Sequence, residues 1–87
     1  MDAQKFHREV IDLLIAERER AGLNQGQLAR RLKLDQSKLS RLESGERKLE
    51  LCEFFMIAAA VGFDPIAALG RLHHKGVPLR PRSAGAR

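Results

Sequence analysis

Apolar residues recur at three- and four-residue spacings along most of the chain, and nowhere alternate with period two for long enough to make a strand. The pattern predicts an all-α fold of five helices. The first runs from about residue 4 to 21, with Phe6, Val10, Leu13, Leu14 and Ala21 facing inward, and stops at Gly22, a residue suited to a left-handed cap. Asn24 caps a second helix over about 25–32, with Leu28, Ala29 and Leu32 on its apolar side. After the short connection Lys33-Leu34, Asp35 caps a third helix over about 36–44, closed by Gly45. A basic loop, Glu46-Arg47-Lys48, leads to a fourth helix over about 50–61, ended by Gly62. Asp64-Pro65 pairs a cap with a first-turn proline and opens a fifth helix carrying Ile66, Leu69 and Leu72. Gly, Pro, Ser and Arg dominate from Lys75 onward. The division expected is a helical domain over 1–74 and a basic, disordered tail over 75–87.

Composition narrows the function classes. Eighty-seven residues leave room for one small domain, and an apolar fraction of 44% is enough for one core. A catalytic domain with its own cofactor fold does not fit this length. The single cysteine excludes an intramolecular disulfide and suits an intracellular protein. The opening residues lack the pattern of a signal segment. The longest apolar run, residues 54–63, is too short to span a bilayer. The net charge of +5 is unevenly placed: residues 1–23 carry −1, 24–48 carry +4, 49–70 carry −3 and 71–87 carry +5. Two basic zones on a small domain favour a polyanionic partner.

The third helix carries the chemistry. At about 100° per residue, Leu39 and Leu42 lie about 60° apart and mark a buried side. Ser37, Ser40, Arg41 and Ser44 cluster opposite, and Gln36 and Ser37 stand in the first turn. Two short helices joined tightly have the geometry of a helix-turn-helix, whose second helix enters a major groove. There Gln can pair with adenine, Arg with guanine, and Ser with either. The candidate base-reading set is Gln36, Ser37, Arg41 and, at its margin, Ser40. Arg30, Lys33, Lys38, Arg47 and Lys48 are candidates for phosphate, which sets affinity and register without reading sequence.

The run from Gly22 to Leu32, Gly-Leu-Asn-Gln-Gly-Gln-Leu-Ala-Arg-Arg-Leu, followed by Gln36-Ser-Lys-Leu-Ser-Arg-Leu-Glu-Ser-Gly45, resembles the XRE family of helix-turn-helix regulators related to lambda-type repressors and Cro proteins. The stretch from Leu51 to Pro65, with its Ala-x-x-x-Gly-x-Asp-Pro ending, is also similar. The likeness covers about residues 10–72. It implies a sequence-specific double-stranded DNA-binding transcriptional regulator of prokaryotic or phage type, located in the cytoplasm on the nucleoid. It implies a homodimer on paired half-sites about one helical turn, roughly 34–36 Å, apart, acting by operator occupancy as a repressor or activator. Gln25 matches a glutamine that touches phosphate and braces the recognition helix. Arg18 and Glu43 match a structural ion pair, and the helical wheel places Glu43 beside the buried edge of its helix. Two positions depart from the family pattern. Lys33 stands where a turn glycine is usual, and Glu17 where an apolar or small residue is usual, which implies a polar partner such as a nearby arginine.

The fourth helix offers two apolar stripes. Leu51, Phe54, Phe55, Ala58 and Val61 are assigned to the core. Cys52, Met56 and Ala59, continued by Phe63 and by Ile66 and Leu69 of the fifth helix, form a second stripe, assigned to a dimer interface. Cys52 itself reads as a small buried hydrophobe. His73 and His74, with Cys52 or His7, do not make a spaced ligand set, so no metal is expected; nor is a cofactor, a small-molecule ligand or a membrane partner. The tail reads as a solvated end whose Arg80, Arg82 and Arg87 are expected to lend some sequence-independent attraction to DNA, the other reading being a minor-groove arm. No Ser/His/Asp, paired-carboxylate or phosphate-loop constellation appears, and a non-enzyme is expected. The rival readings are an antitoxin or restriction-modification controller that also binds DNA, and an adaptor that uses the same fold to bind protein.

Overall fold

Each helix begins where a cap residue permits it. In the computed structural model, which describes residues 2–76, α1 spans Ala3–Arg20. Asp2 precedes it, its carboxylate accepting from the backbone N–H groups of Gln4 and Lys5 at 3.0 and 3.1 Å. Helix α2 spans Gln25–Leu32 behind a reciprocal capping box: the Gln27 N–H donates to Asn24 Oδ1 and the Asn24 N–H to Gln27 Oε1, both at 2.8 Å. Helix α3 spans Gln36–Ser44. Asp35 holds its N-cap position in extended geometry, but its side chain makes no capping bond. Helix α4 spans Leu51–Val61, with the Glu50 N–H donating to the Glu53 carboxylate at 3.0 Å. Helix α5 spans Pro65–Gly76, and Asp64 Oδ1 accepts from the N–H groups of Ile66 and Ala67. Lys75 and Gly76, assigned by composition to the tail, are therefore helical. Arg80, Arg82 and Arg87 lie outside the described residues.

The turns after α1 and α3 rely on glycine, at φ +76° for Gly22 and +90° for Gly45. After α2 the left-handed position belongs to Lys33, at φ 59° and ψ 41°. There the Leu34 N–H reaches back to the Ala29 carbonyl at 2.9 Å and closes the tight turn that links α2 to α3.

One core joins the five helices. Phe54, Ile11, Leu28, Leu39 and Leu42 are its largest fully buried side chains, and each contributes about 1.5–3 kcal/mol on leaving water. Helix α2 packs on α3 and α4, while α1 packs against α3, α4 and α5. Phe54 stands edge-on to both Phe55 and Phe63. The structure corrects several inward assignments. Ala21 is exposed at the end of α1, whereas Ile11, absent from the expected set, is fully buried. In α4 the covered face centres on Phe54, Ile57 and Ala58, so Leu51 and Phe55 lie on the open side. Cys52 is likewise exposed, not a buried hydrophobe. In α5 the fully buried residue is Ala68, while Ile66, assigned by sequence to the second stripe, is 65% exposed. The reason is common to both helices: α1 and α2 cover only one side of the bundle's α4–α5 corner. Among the described residues no single helix is long and apolar enough to cross a membrane.

Candidate nucleic-acid interface

Helix α3 is held to the body by two leucines and a carboxylate. Leu39 and Leu42 are each 1% exposed, and Glu43 is buried beside them. The rest of the helix faces outward: Gln36, Ser37, Lys38, Ser40, Arg41 and Ser44 are all exposed. Ser44 turns its hydroxyl back onto the helix, donating to the Arg41 carbonyl at 3.0 Å, so it caps rather than reads. Gln36, Ser37, Ser40 and Arg41 thus form one continuous polar face on a rigid element, with a guanidinium at one side and a carboxamide at the other.

Glu43 is the junction that orients this face. Arg18 of α1 grips it with two bonds, Nε to Oε2 at 2.8 Å and Nη2 to Oε1 at 2.9 Å. The same guanidinium donates through Nη1 to the Leu23 carbonyl at 2.9 Å. The hydrogen bond to Glu43 raises the Arg18 pKa above its ordinary value against the opposing pull of burial, helped by the charges of Glu43 and Glu19. Gln25, at the start of α2, donates from Nε2 to Glu43 Oε1 at 2.9 Å. One carboxylate therefore ties α1, α2 and α3 together. It is buried in a paired and hydrogen-bonded state, the only condition under which a carboxylate sits there at tolerable cost.

The far end of α3 is held by residues the sequence did not single out. Arg8 of α1 donates from Nη2 to the Glu43 carbonyl at 3.0 Å and from Nη1 to the Ser44 carbonyl at 3.5 Å, while its Nε is steadied by Asp12 at 3.1 Å. A cation on the last carbonyls of a helix complements its dipole. His7, one residue earlier, accepts the Leu49 N–H at Nε2, 3.0 Å away, and fixes the loop that enters α4. Neither role has a local signature, because each partner lies more than 30 residues away.

The candidate cations divide into two groups. Arg30, Lys33, Lys38 and Lys48 are exposed, around the rim of α2 and α3 and on the following loop. Arg47 is different: it is partly buried and its guanidinium is turned toward the protein. Its backbone N–H bonds to the Arg41 carbonyl at 3.2 Å, which curls the loop inward. Its Nη1 then meets both oxygens of Glu53 at 3.1 and 2.9 Å, above a cavity of about 140 Å³ lined by Leu32, Leu34, Leu42, Met56 and Ile57. Arg31, just beyond the reading face, ties α2 to α4 by donating to the Ala60 carbonyl at 2.8 Å. Glu17, the departure in α1, is paired with Arg20 and lies 3.8 Å from Arg71 of α5.

The exposed arc of α4 is wholly apolar, and its Met56 and Ala59 adjoin the α2–α3 turn at Arg31 and Lys33. It carries Leu51, Cys52, Phe55, Met56 and Ala59. Of the residues assigned by sequence to a dimer contact, Cys52, Met56, Ala59 and Ile66 lie open, while Phe63 and Leu69 are partly buried against the core. No group of three or more potential metal ligands occurs among the described residues.

Residues 12–69 match the model of a helix-turn-helix domain family. A solved structure, an XRE-family like protein from Pseudomonas syringae pv. tomato str. DC3000, superposes with a TM-score of 0.79 at 36% identity, covering 83% of this chain and 88% of that one. No curated protein matches the chain. With two leucine-anchored short helices, a left-handed turn between them, an exposed polar face on the second and this likeness over most of its length, the chain belongs to the XRE family of helix-turn-helix DNA-binding regulators.

Proposed function

We propose that this protein is a sequence-specific transcriptional regulator that binds double-stranded DNA as a homodimer and acts by occupying its operator. Helix α3 enters the major groove, where Gln36, Ser37, Arg41 and, at the margin, Ser40 meet base edges. Arg30, Lys33, Lys38 and Lys48 meet the flanking phosphates. Gln25 braces α3 through Glu43 with its amide nitrogen, which leaves its carboxamide oxygen for a water or a sugar-phosphate group. The observation that carries this reading is the division of α3: leucines 1% exposed on one side, and on the other four polar side chains engaged in no hydrogen bond among the described residues. A surface evolved only for solubility needs charge, not a face of serines and a glutamine flanked by cations.

The dimer is proposed on the uncovered apolar arc of α4, with Met56, Cys52 and Ala59 at its centre and Ile66 beside it. A helix with apolar residues on all sides requires burial on more than one side. Two copies would place two reading helices on half-sites about one DNA turn apart. The setting is the cytoplasm, on the nucleoid.

Selection of duplexes from a random pool tests the proposal. An enriched motif with two related halves is expected. Arg41→Ala should relax preference at one base pair in each half, at a cost of about 1–3 kcal/mol for each bidentate pair of bonds removed. Lys38→Ala should weaken all sequences alike and reduce the slope of log affinity against log salt by about one. A pool with no enriched motif and no salt-dependent duplex binding would instead identify a protein-binding adaptor.

A further inference from the structure

Gly26 is the second residue of α2 and half-buried, and its backbone is ordinary right-handed helix. Nothing in its φ calls for glycine, and glycine weakens an eight-residue helix relative to alanine. Space explains it. A Cβ at this position would lie 3.3 Å from Gln36 Oε1, 3.8 Å from Gln36 Cδ and 3.4 Å from Asn24 Oδ1. Gly70, also helical, has nothing within 4 Å of a corresponding Cβ. The carboxamide of Gln36, the first residue of α3, therefore rests in the notch left by the missing side chain of Gly26.

We propose that Gly26 is a positioning residue for base recognition, setting the direction in which Gln36 presents its carboxamide to DNA. The inference rests on the reading of α3 as the base-contacting helix. The nearby polar groups do not hold Gln36 in its place. The Gln25 amide is committed to Glu43, and Asn24 Oδ1 accepts the Gln27 N–H at 2.8 Å. Because Asn24 is locked into the capping box, a methyl group at position 26 displaces Gln36 and not Asn24. Paired bonds from a carboxamide to adenine require the donor and acceptor to meet the base edge together, and a shift of a few tenths of an ångström with a rotation of the amide breaks one of them. The same methyl group improves the helix. Gly26→Ala thus separates folding from recognition: the protein becomes no less stable while its base preference changes.

The test compares the full chain with Gly26→Ala, Gln36→Ala and the double variant, by duplex selection from a random pool followed by competition between single-base-pair variants of the selected site. Thermal unfolding of each protein runs alongside. Gly26→Ala and Gln36→Ala are expected to lose about tenfold in discrimination at the same base pair, on the scale of one bidentate contact. The double variant should match Gln36→Ala alone, the signature of two residues acting through one contact. The melting temperature of Gly26→Ala should equal or exceed that of the native chain. The proposal is overturned if Gln36→Ala relaxes one position but Gly26→Ala leaves it intact; the base-reading role of α3 then stands without it. It is also overturned if Gly26→Ala weakens all duplexes equally, which would make Gly26 a point of close backbone approach to phosphate. If Gln36→Ala changes no position, the carboxamide reads nothing and the inference falls, while Arg41→Ala, carried through the same selection, still reports on α3. A native chain that enriches no motif removes the functional reading and the inference together.

Discussion

The Arg18–Glu43 pair shows how a single residue pair can carry structural weight out of proportion to its exposure. Both side chains are about nine-tenths buried, and they meet through two short bonds. Arg18→Ala strands the Glu43 carboxylate and should cost about 3–5 kcal/mol, read as a shift in the denaturant midpoint. Replacing both partners with apolar residues of similar volume should recover most of that loss, since the penalty lies in the unpaired charge and not in the absent pair. The pH dependence follows from the raised pKa of Arg18. A base whose folded pKa lies above its unfolded one contributes in full below the unfolded value and loses that contribution only as pH rises through the folded value. Stability due to this group should therefore be flat across the neutral and mildly alkaline range. Arg47 yields a contrasting prediction. Arg47→Ala should lower stability by about 1–3 kcal/mol by leaving the Glu53 carboxylate without its cation, yet leave the salt slope of DNA binding unchanged, because the guanidinium faces the protein. A reduced slope would return Arg47 to the phosphate contacts.

Among the elements, the helix boundaries were the most legible part of the sequence. Asn24 with Gln27, Asp64 with Pro65, and glycines at 22, 45 and 62 are local signals, and caps act through bonds within about three residues. The turn between α2 and α3 follows the same local logic with an unusual residue. Lys33 adopts a left-handed conformation that costs a residue with a Cβ about 1–2 kcal/mol. Lys33→Gly should raise stability by about 1 kcal/mol, seen as a higher denaturant midpoint with an unchanged slope. It should also weaken duplex binding slightly if the lysine contributes to phosphate attraction. Periodicity is a poorer guide to which apolar stripe of α4 faces inward. Nearly every position there is apolar, so the wheel has no polar face to orient it, and the pattern assigns Leu51 and Phe55 to a core that the packed helices do not extend to them.

For the whole molecule, the feature that the single chain leaves unsatisfied is the α4 corner. Leu51 is 69% exposed and Met56 52%, on an arc without a charged side chain. The proposed dimer would cover this patch. Met56→Glu should leave the monomer folded, because about half of the side chain already faces water, but should shift sedimentation of the proposed dimer toward the monomer. Binding to a paired site should then fall toward that of one half-site. A native chain that sediments as a monomer at all accessible concentrations would remove this interface. The reading helix, by contrast, is fixed from within the monomer: its N-terminal end lies against α2 and its C-terminal carbonyls are held by Arg8. Its orientation is a property of the single chain, and in the proposed dimer only the spacing of two such helices would depend on a second copy.

Local chemistry alone sets where the helices start and stop, turns Leu39 and Leu42 away from a polar face on α3, and gathers cations around the helix-turn-helix. These are consequences of short-range bonding and of a 3.6-residue repeat, both of which are written along the chain. It took the packed fold to assign Arg47 to Glu53, Arg8 and His7 to the two ends of the α3–α4 connection, Gln25 to Glu43, and Gln36 to its seat over Gly26. A side chain with several rotatable bonds takes its partner from whatever the packed helices bring within about 3 Å, and no spacing along the chain specifies that meeting.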